Sequence, residues 1–198
     1  YKYQMIKVTT WQKILKDKKK KISKNFKYIK DDSLICSFSE NLLKNFFDVV
    51  VKKNGKVLIA YKKSKIVGLL VMENKSIDSI SFFKRNILNI SLNLLFSKNM
   101  SDKKILLRYF FNFLFMKKDN VIIKNNIILV AVVPSERGKN IGKKLIKKLI
   151  KLVNSNLFVS TDSDNFRAQN FYKKNKFKYF KQIYYGIRKL YLYKLKNN

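Results

Sequence analysis

The clearest pattern of apolar and polar positions lies between residues 127 and 153. Ile127 to Val133 is an uninterrupted apolar, β-branched run, typical of a short strand buried on both faces, and Pro134 ends it. Beyond a short loop, apolar residues recur at helical spacing while lysines occupy the opposite face. The apolar positions are Ile141, Leu145, Ile146, Leu149, Ile150 and Val153. This pattern predicts a buried strand, a loop and an amphipathic helix with one face in the core.

Weaker patterns predict the elements on either side of this segment. They are a helix with a Ser or Glu start, an apolar hairpin, a second apolar strand and a closing hairpin of alternating positions around Gly186. In chain order these lie at residues 38–47, 56–72, 157–161 and 177–195. The order of elements predicts a mixed α/β sheet with helices on both faces.

The loop between the strand and the amphipathic helix has the composition of an anion site. Gly138 and Gly142 allow a close backbone approach to a ligand, and Arg137, Lys139 and Lys143 add positive charge. Free N–H groups and the positive end of the helix dipole would face a pyrophosphate there. A plain strand-to-helix turn is the alternative, because a Gly-containing loop before a helix is common.

Two motifs carry a resemblance to a known family. Residues 137–142 read RGKNIG, and residues 165–177 read NFRAQNFYKKNKF. They resemble the R/Q-x-x-G-x-G/A acyl-CoA signature and the N-x-x-A-x-x-F-Y-x-K-x-G-F helix of the GNAT N-acetyltransferase superfamily. The chain departs from these motifs at two positions. Asn140 stands where the family usually has a small residue, often Gly, and Lys176 stands where it usually has Gly. Asn tolerates a left-handed backbone better than most residues do.

The resemblance covers roughly residues 38–72 and 127–195, and it implies a fold. That fold is α/β, with a mixed, mostly antiparallel central sheet flanked by helices on both faces. We expect one domain over residues 1–198, with a helical insertion at 74–126, similar to bacterial members of the superfamily.

The resemblance also implies a mechanism, in which an amine attacks the thioester carbonyl of acetyl-CoA directly and no metal takes part. The amide of Val132 would donate to the thioester oxygen, its neighbours would align the pantetheine, and the loop from Arg137 to Lys143 would hold the pyrophosphate. Asn165 would meet the pantetheine arm or its surroundings. The implied cofactor-binding residues are Val130, Ala131, Val132, Arg137, Gly138, Lys139, Asn140, Ile141, Gly142, Lys143 and Asn165.

Two catalytic side chains follow from the same motifs. Tyr172 falls on the family's general acid for the departing thiolate, and a core tyrosine is the alternative. Ser160 stands where some relatives have a Glu base, so Asp162, two residues on, is the candidate base if the strand extends that far. An ordered water could replace a dedicated base. Asp164 is expected to be a turn or cap before the following helix.

The interval from Asn74 to Asn126 predicts two helices, about Ser79 to Ser97 and about Asp102 to Lys117. The second is apolar almost all round, so it must be buried or contact an apolar partner. Three interpretations stay open: packing on the sheet or self-association in a dimer, a wall of the acceptor site, and peripheral membrane contact. Arg108 interrupts the apolar run, so a spanning helix is not expected. The chain is accordingly expected to be a monomer or a homodimer.

The acceptor is expected to be a small primary amine. The insertion, together with the first helix at Phe38 to Phe47, resembles GNAT proteins of bacterial surface-polysaccharide and amino-sugar pathways, and this favours an amino sugar, especially a nucleotide-linked one. A protein or peptide amine is the second candidate and a polyamine the third, since a positive surface repels a polyamine. The non-enzymatic alternative is a degenerate GNAT fold that binds CoA without turnover.

Composition narrows these possibilities further. The net charge is +33, from 45 Lys and Arg against 12 Asp and Glu, but only five of the 45 are Arg and the lysines are scattered. Specific nucleic-acid binding is therefore not expected. With one cysteine, Cys36, and no histidine, the chain cannot assemble an internal disulfide, an ordinary zinc site or a Ser-His-Asp triad. No signal peptide or long apolar span is visible, which favours the cytoplasm.

Overall fold

The computed structural model describes residues 6–14, 39–63, 65–75, 82, 85–95, 122–185 and 188–196. These residues form seven strands and four α-helices, in two compact units. Unit 1 comprises Tyr1–Asn74 and Ile127–Asn154, and unit 2 comprises Lys75–Asn126 and Ser155–Asn198. The strands are β1 Ile6–Thr10, β2 Lys56–Lys62, β3 Lys65–Lys75, β4 Lys124–Val132, β5 Leu157–Asp162, β6 Lys178–Tyr185 and β7 Arg188–Leu195. The helices are α1 Glu40–Lys52, α2 Ile87–Leu95, α3 Ile141–Ile150 and α4 Phe166–Lys174.

The strands of unit 1 follow the order β1-β2-β3-β4. β1 pairs antiparallel with β2, and β2 pairs antiparallel with β3, as the predicted hairpin requires. β2 and β3 carry continuous buried runs, because these strands are covered on both faces. β3 runs to Lys75, three residues beyond the predicted end of the hairpin at residue 72.

Helix α1 packs its apolar face in the core of unit 1. The Ser39 hydroxyl accepts a hydrogen bond from the Leu42 N–H at 3.4 Å, which confirms the predicted Ser start. Asn54, with φ 62°, and Gly55 follow the helix, and their N–H groups donate to the carbonyls of Val51 and Val50. This left-handed ending satisfies carbonyls that the last turn would otherwise leave unpaired. The buried residues of α1 are Leu42, Leu43, Phe46, Phe47 and Val50.

The strands of unit 2 follow the order β5-β7-β6, with both pairs antiparallel. β6 and β7 form the predicted closing hairpin, and β5 runs to Asp162, one residue beyond its predicted end. Every strand pairing named here is antiparallel, and helices accompany the strands in both units. The predicted mixed α/β class with a mostly antiparallel sheet is thus confirmed.

The segment 74–126, predicted to be a helical insertion, is described in part: β3 runs to Lys75 and β4 begins at Lys124. α2 lies within the predicted first helix, over Ile87–Leu95, and Ile90 on it is buried. The predicted second helix, at about 102–117, lies outside the described residues, as does Cys36. No helix in the described ranges is both long enough and apolar enough to cross a membrane.

Helix α4 ends in a hydrogen-bonded left-handed turn at the position where the family motif has Gly. Lys176 has φ 69°, and its N–H donates to the Lys173 carbonyl at 3.0 Å. The Phe177 N–H donates to the Tyr172 carbonyl at 3.1 Å, and the two rings make an edge contact with centroids 5.6 Å apart. These bonds and this apolar contact define a Schellman motif, which favours Gly at the residue with positive φ.

Lys176→Gly is therefore expected to stabilise the protein by about 0.5–1 kcal/mol, because Gly adopts this conformation without the Cβ clash. Urea unfolding followed by far-UV circular dichroism would measure the change. Lys174→Gly is the matched control: the same exchange inside the last turn of α4 should destabilise by about 1 kcal/mol. A loss of stability in Lys176→Gly would contradict the expectation.

Candidate functional site

The end of β4 presents main-chain groups on the edge away from β3. The Val133 N–H donates to the Val67 carbonyl on β3 at 3.0 Å. Because the main-chain groups of successive residues in a strand point to opposite edges, those of Val132 and Val130 point away from β3 and those of Ala131 point toward it. Arg137 Nε donates to the Val132 carbonyl at 3.1 Å, so the Arg137 guanidinium lies at that outer edge.

The loop after β4 combines a tight turn with two positive φ angles. Pro134–Glu136 forms a 3-10 turn, and the N–H groups of Glu136 and Arg137 close it on the carbonyls of Val133 and Pro134. Gly138 has φ 81° and Asn140 has φ 60°. The left-handed backbone that the sequence allowed for Asn140 is confirmed. No atom lies within 4 Å of a Cβ built on Gly138, so the loop faces open space there.

The N-terminus of α3 has the features of an anion site. The side chain of Asn140, the N-cap residue, makes no capping hydrogen bond, and the first N–H groups of a helix have no partner within that helix. Ile141 and Gly142 are buried, whereas Lys143 and Lys144 are exposed in the same turn. Open amides, the positive helix end and nearby lysines together favour binding of a phosphate group.

A close approach between α3 and β3 sets the position of this helix. A Cβ at Gly68 would lie 2.9 Å from Ile141 Cγ2, 3.2 Å from Leu145 Cδ1 and 3.3 Å from the Ala131 carbonyl oxygen. Ordinary contacts to carbon are longer, so any larger side chain at residue 68 would push α3 away from the sheet. Gly68 therefore helps to place the anion-binding turn, a role that sequence patterns did not single out.

Glu136 joins the turn to β2 and was also missed by the sequence analysis. Lys62 Nζ lies 2.9 Å from Glu136 Oε1 and 3.1 Å from Oε2, and Lys139 Nζ lies 3.2 Å from Oε2. These contacts lower the pKa of Glu136 below its usual 4.5, chiefly through the hydrogen bond from Lys62. Glu136 is the sole acidic residue between Asp119 and Asp162 in the sequence. This isolation among basic residues is the sequence feature that could have identified it as a candidate.

Asp162, the candidate base, ends β5 in unit 2, and β5 continues far enough for Asp162 to share a face with Ser160. Arg188 binds both of its carboxylate oxygens, Nε at 2.9 Å from Oδ1 and Nη2 at 2.5 Å from Oδ2. A fork of this kind is among the stronger hydrogen-bonded pairs in proteins. The contact with Arg188 gives Asp162 a structural role, whether or not it also acts in catalysis.

Tyr172 is a buried residue of α4. Its ring makes edge contacts with Phe171 and Phe177, at centroid distances of 5.2 and 5.6 Å. Its exposed fraction is 7 %, so the ring is held in one position by its neighbours.

Asn165 caps α4, since its side chain accepts from the Ala168 N–H at 3.0 Å. Asp164 lies in the turn before the helix, the first of its two predicted roles, and Asn165 is the N-cap. An amide oxygen at the N-cap satisfies one of the open N–H groups of the first turn. Asn165 is exposed, so its side chain performs this structural task at the surface.

Gln169 is a buried polar residue that the sequence analysis did not identify. Its Nε2 donates to the carbonyls of Asp162 and Ser163 at 3.3 and 3.0 Å, and its Oε1 accepts from the Tyr193 hydroxyl at 3.3 Å. Burial raises the pKa of Tyr193, which keeps this hydroxyl a donor. Gln169 thereby ties α4 to the end of β5 and to β7.

Comparison with known proteins agrees with these features. Residues 116–177 match the family model described as Acetyltransferase (GNAT) family, a range that holds both sequence motifs. An N-acetyltransferase structure from Staphylococcus aureus Mu50 has a TM-score of 0.57 and 12 % identity, over 98 % of this chain and 99 % of that one. The chain has the GNAT fold.

Two further GNAT-like structures have informative names. The structure of yncA from Salmonella typhimurium with its cofactor acetyl-CoA has a TM-score of 0.57 and 12 % identity, over 98 % of this chain and 94 % of that one. The ribosomal-protein-S18-alanine N-acetyltransferase from Escherichia coli has a TM-score of 0.53 and 10 % identity, with the same coverage. No curated protein matches the chain significantly.

Within this GNAT fold, the predicted site residues divide between the two units. Unit 1 holds Val130, Ala131, Val132 and the whole loop from Arg137 to Lys143, and unit 2 holds Asp162, Asn165 and Tyr172. The structure brings the loop residues together around the N-terminus of α3. The individual roles of these residues remain predictions.

Proposed function

We propose that this protein is an acetyl-CoA-dependent N-acetyltransferase that moves an acetyl group to a primary amine. The observation that carries the proposal is the turn from Arg137 to Lys143, with positive φ at Gly138 and Asn140 before an uncapped helix N-terminus. It lies inside the segment that matches the GNAT family model. The fold supports the same activity, since solved structures that share it are named acetyltransferases.

The residues of the turn fit the diphosphate of CoA. Gly138 leaves open space where a side chain would stand, and the amides at the start of α3 have no bond within the helix. Lys139 and Lys143 are exposed and positive, as an anion site requires. Acetyl-CoA would supply the activated acetyl group, as a thioester.

The edge of β4 would orient the thioester. We assign the N–H of Val132 as the donor to the carbonyl oxygen, because this group points away from β3 at the end of the strand. Val130 presents its main-chain groups on the same edge and would align the pantetheine. The main-chain groups of Ala131 point to β3. Ala131 would therefore pack beneath the pantetheine and would not hydrogen-bond to it.

Two side chains of unit 2 would move protons. Tyr172 would protonate the departing thiolate, and its packing between Phe171 and Phe177 would hold the hydroxyl in place. Asp162 is the proposed base for the ammonium, directly or through water, although its bidentate contact with Arg188 favours a structural role. The alternative to Asp162 is an ordered water as the base, and the contact between Asp162 and Arg188 favours that alternative.

The acceptor that we propose is an amino sugar, especially a nucleotide-linked one, because the inserted segment at 74–126 resembles those of GNAT proteins in such pathways. A protein or peptide amine is the second candidate. It gains support from one structure of the same fold, which is named for ribosomal protein S18 alanine. A CoA-binding protein without turnover is the non-enzymatic alternative.

Two measurements on the wild-type protein separate these possibilities. Thermal unfolding with and without acetyl-CoA tests cofactor binding, since a ligand that binds the folded state raises Tm. Release of the CoA thiol is then followed with a nucleotide-linked amino sugar, a free amino sugar, an alanine-initiated peptide, a lysine peptide and a polyamine. Turnover with an amino sugar supports the proposal, and turnover with a peptide alone supports the second candidate. A raised Tm with no turnover indicates a binding protein, and an unchanged Tm contradicts the proposal.

A further inference from the structure

Glu136 lies at the centre of a three-residue charge cluster beside the proposed CoA turn. Its carboxylate contacts Lys62 on β2 with both oxygens and Lys139 on the turn with one. The Lys139 ammonium also donates to the Ser135 carbonyl at 2.9 Å. The side chains of Glu136 and Lys62 are only 17 % and 27 % exposed, so water screens this pair less than it screens a fully exposed one.

The cluster connects parts of the chain that are distant in sequence. Lys62 and Glu136 are 74 residues apart, and their contact attaches the 3-10 turn to the end of β2. Arg137, the next residue, is bound to the Val132 carbonyl. The turn is therefore held from one side by β2 and from the other by β4 before any ligand arrives.

We propose that Glu136 is a positioning residue for acetyl-CoA, which holds the phosphate-binding turn and the Lys139 ammonium in place through its contact with Lys62. This proposal rests on the proposed function, because the ligand is the diphosphate of CoA. In this proposal Glu136 acts through Lys139 and the turn, and not by contact with the cofactor or the acceptor. Its effect comes from lowering the cost of ordering the turn and the long Lys139 side chain on binding.

The sign of the effect makes the proposal testable. Glu136 is negative and lies near a site for an anion, so removing its charge would strengthen CoA binding if electrostatics alone mattered. Loss of a pre-formed turn would instead weaken binding. Glu136→Gln retains the size of the side chain and removes the charge, and therefore distinguishes the two effects.

We expect Glu136→Gln to raise KM and Kd for acetyl-CoA by about twofold to fivefold, the range expected for one partly screened ion pair. The value of kcat should be little changed, because the residue does not contact the reacting atoms. The effect should be constant between about pH 6 and 8, since the lowered pKa keeps the carboxylate ionised throughout that range.

A second variant tests whether the pair, rather than the charge, is responsible. Lys62→Met retains the apolar stem and removes the ammonium, and it should reproduce the weaker binding. The double variant with Glu136→Gln should cost little more than either change alone, because the two residues act through one contact. Lys65→Met is the matched control. Lys65 lies opposite Lys62 in the β2–β3 register and is exposed, so Lys65→Met removes an equal charge from a neighbouring position.

The outcomes separate this inference from the proposed function. Calorimetric titration with acetyl-CoA, with circular dichroism to verify folding, measures each Kd. If the wild type binds and Glu136→Gln binds equally well or more tightly, the positioning role is overturned and the proposed function is unaffected. If Lys65→Met weakens binding as much as Lys62→Met does, general surface charge explains the effect and the inference is wrong. If the wild type itself does not bind acetyl-CoA, the proposed function fails first.

Discussion

Tyr172→Phe is expected to lower kcat by about 10²-fold to 10⁴-fold, the usual contribution of a positioned general acid. The phenol would protonate the thiolate as the C–S bond breaks, and phenylalanine has no proton to give. Initial rates of thiol release, with the amine that wild type uses best, measure the change. KM for acetyl-CoA should be little changed, because the proposed role belongs to the chemical step.

The structure offers a clean comparison for this experiment. The Tyr172 ring makes edge contacts with Phe171 and Phe177, and phenylalanine at this position would retain both rings' packing. Tyr179→Phe removes a hydroxyl of the same kind from an exposed position on β6, where 55 % of the residue is accessible. A full rate in Tyr172→Phe would refute the acid role, and an equal loss in Tyr179→Phe would show that the effect is not specific to Tyr172.

Trp11→Ala is expected to reduce the free energy of unfolding by roughly 3–5 kcal/mol, the range for removal of a buried aromatic side chain. Trp11 is fully buried in unit 1, its ring makes an edge contact with Phe47 at 5.1 Å, and its indole N–H donates to Asp48 Oδ1 at 2.7 Å. Typical domains are stable by about 5–15 kcal/mol, so this loss is a large fraction of the total. Urea unfolding followed by far-UV circular dichroism measures it without the tryptophan signal.

Trp11→Phe divides the effect between packing and hydrogen bonding. Phenylalanine fills most of the space and leaves Asp48 without the indole donor, although Lys44 Nζ remains 3.3 Å from the other Asp48 oxygen. We expect a loss of roughly 1–2 kcal/mol for this variant. A loss below about 1 kcal/mol in Trp11→Ala would be outside the range for a core aromatic residue and would contradict the described packing.

Local features of the site could be predicted because they depend on neighbouring residues. The apolar run after residue 127, the proline stop and the helical spacing from Ile141 all appear in the structure as β4, the 3-10 turn and α3. Asn140 adopts the left-handed backbone that its residue type tolerates. Backbone preferences and amphipathic periodicity act over a few residues, so one sequence is enough to reveal them.

Side-chain partners could not be predicted because they depend on strand register. Asp162 was selected as a base from its place beside Ser160, yet the β5–β7 pairing sets it opposite Leu190, two residues from Arg188. Lys62 is one of 45 basic residues, and nothing in the sequence distinguishes it as the partner of Glu136. The close approach at Gly68 likewise depends on where α3 lies on β3.

The sequence alone determined the class of fold, the order of the elements predicted from residue 38 onward, and the Gly-containing turn that we propose binds a diphosphate; it did not reveal β1. These properties reside in short-range patterns that need no knowledge of distant residues. Tertiary structure decided which charges meet, which polar side chains are engaged, and how closely helix and sheet approach at the turn. Those contacts join residues as far apart as Lys62 and Glu136, and chain folding alone selects them from many chemically equivalent candidates.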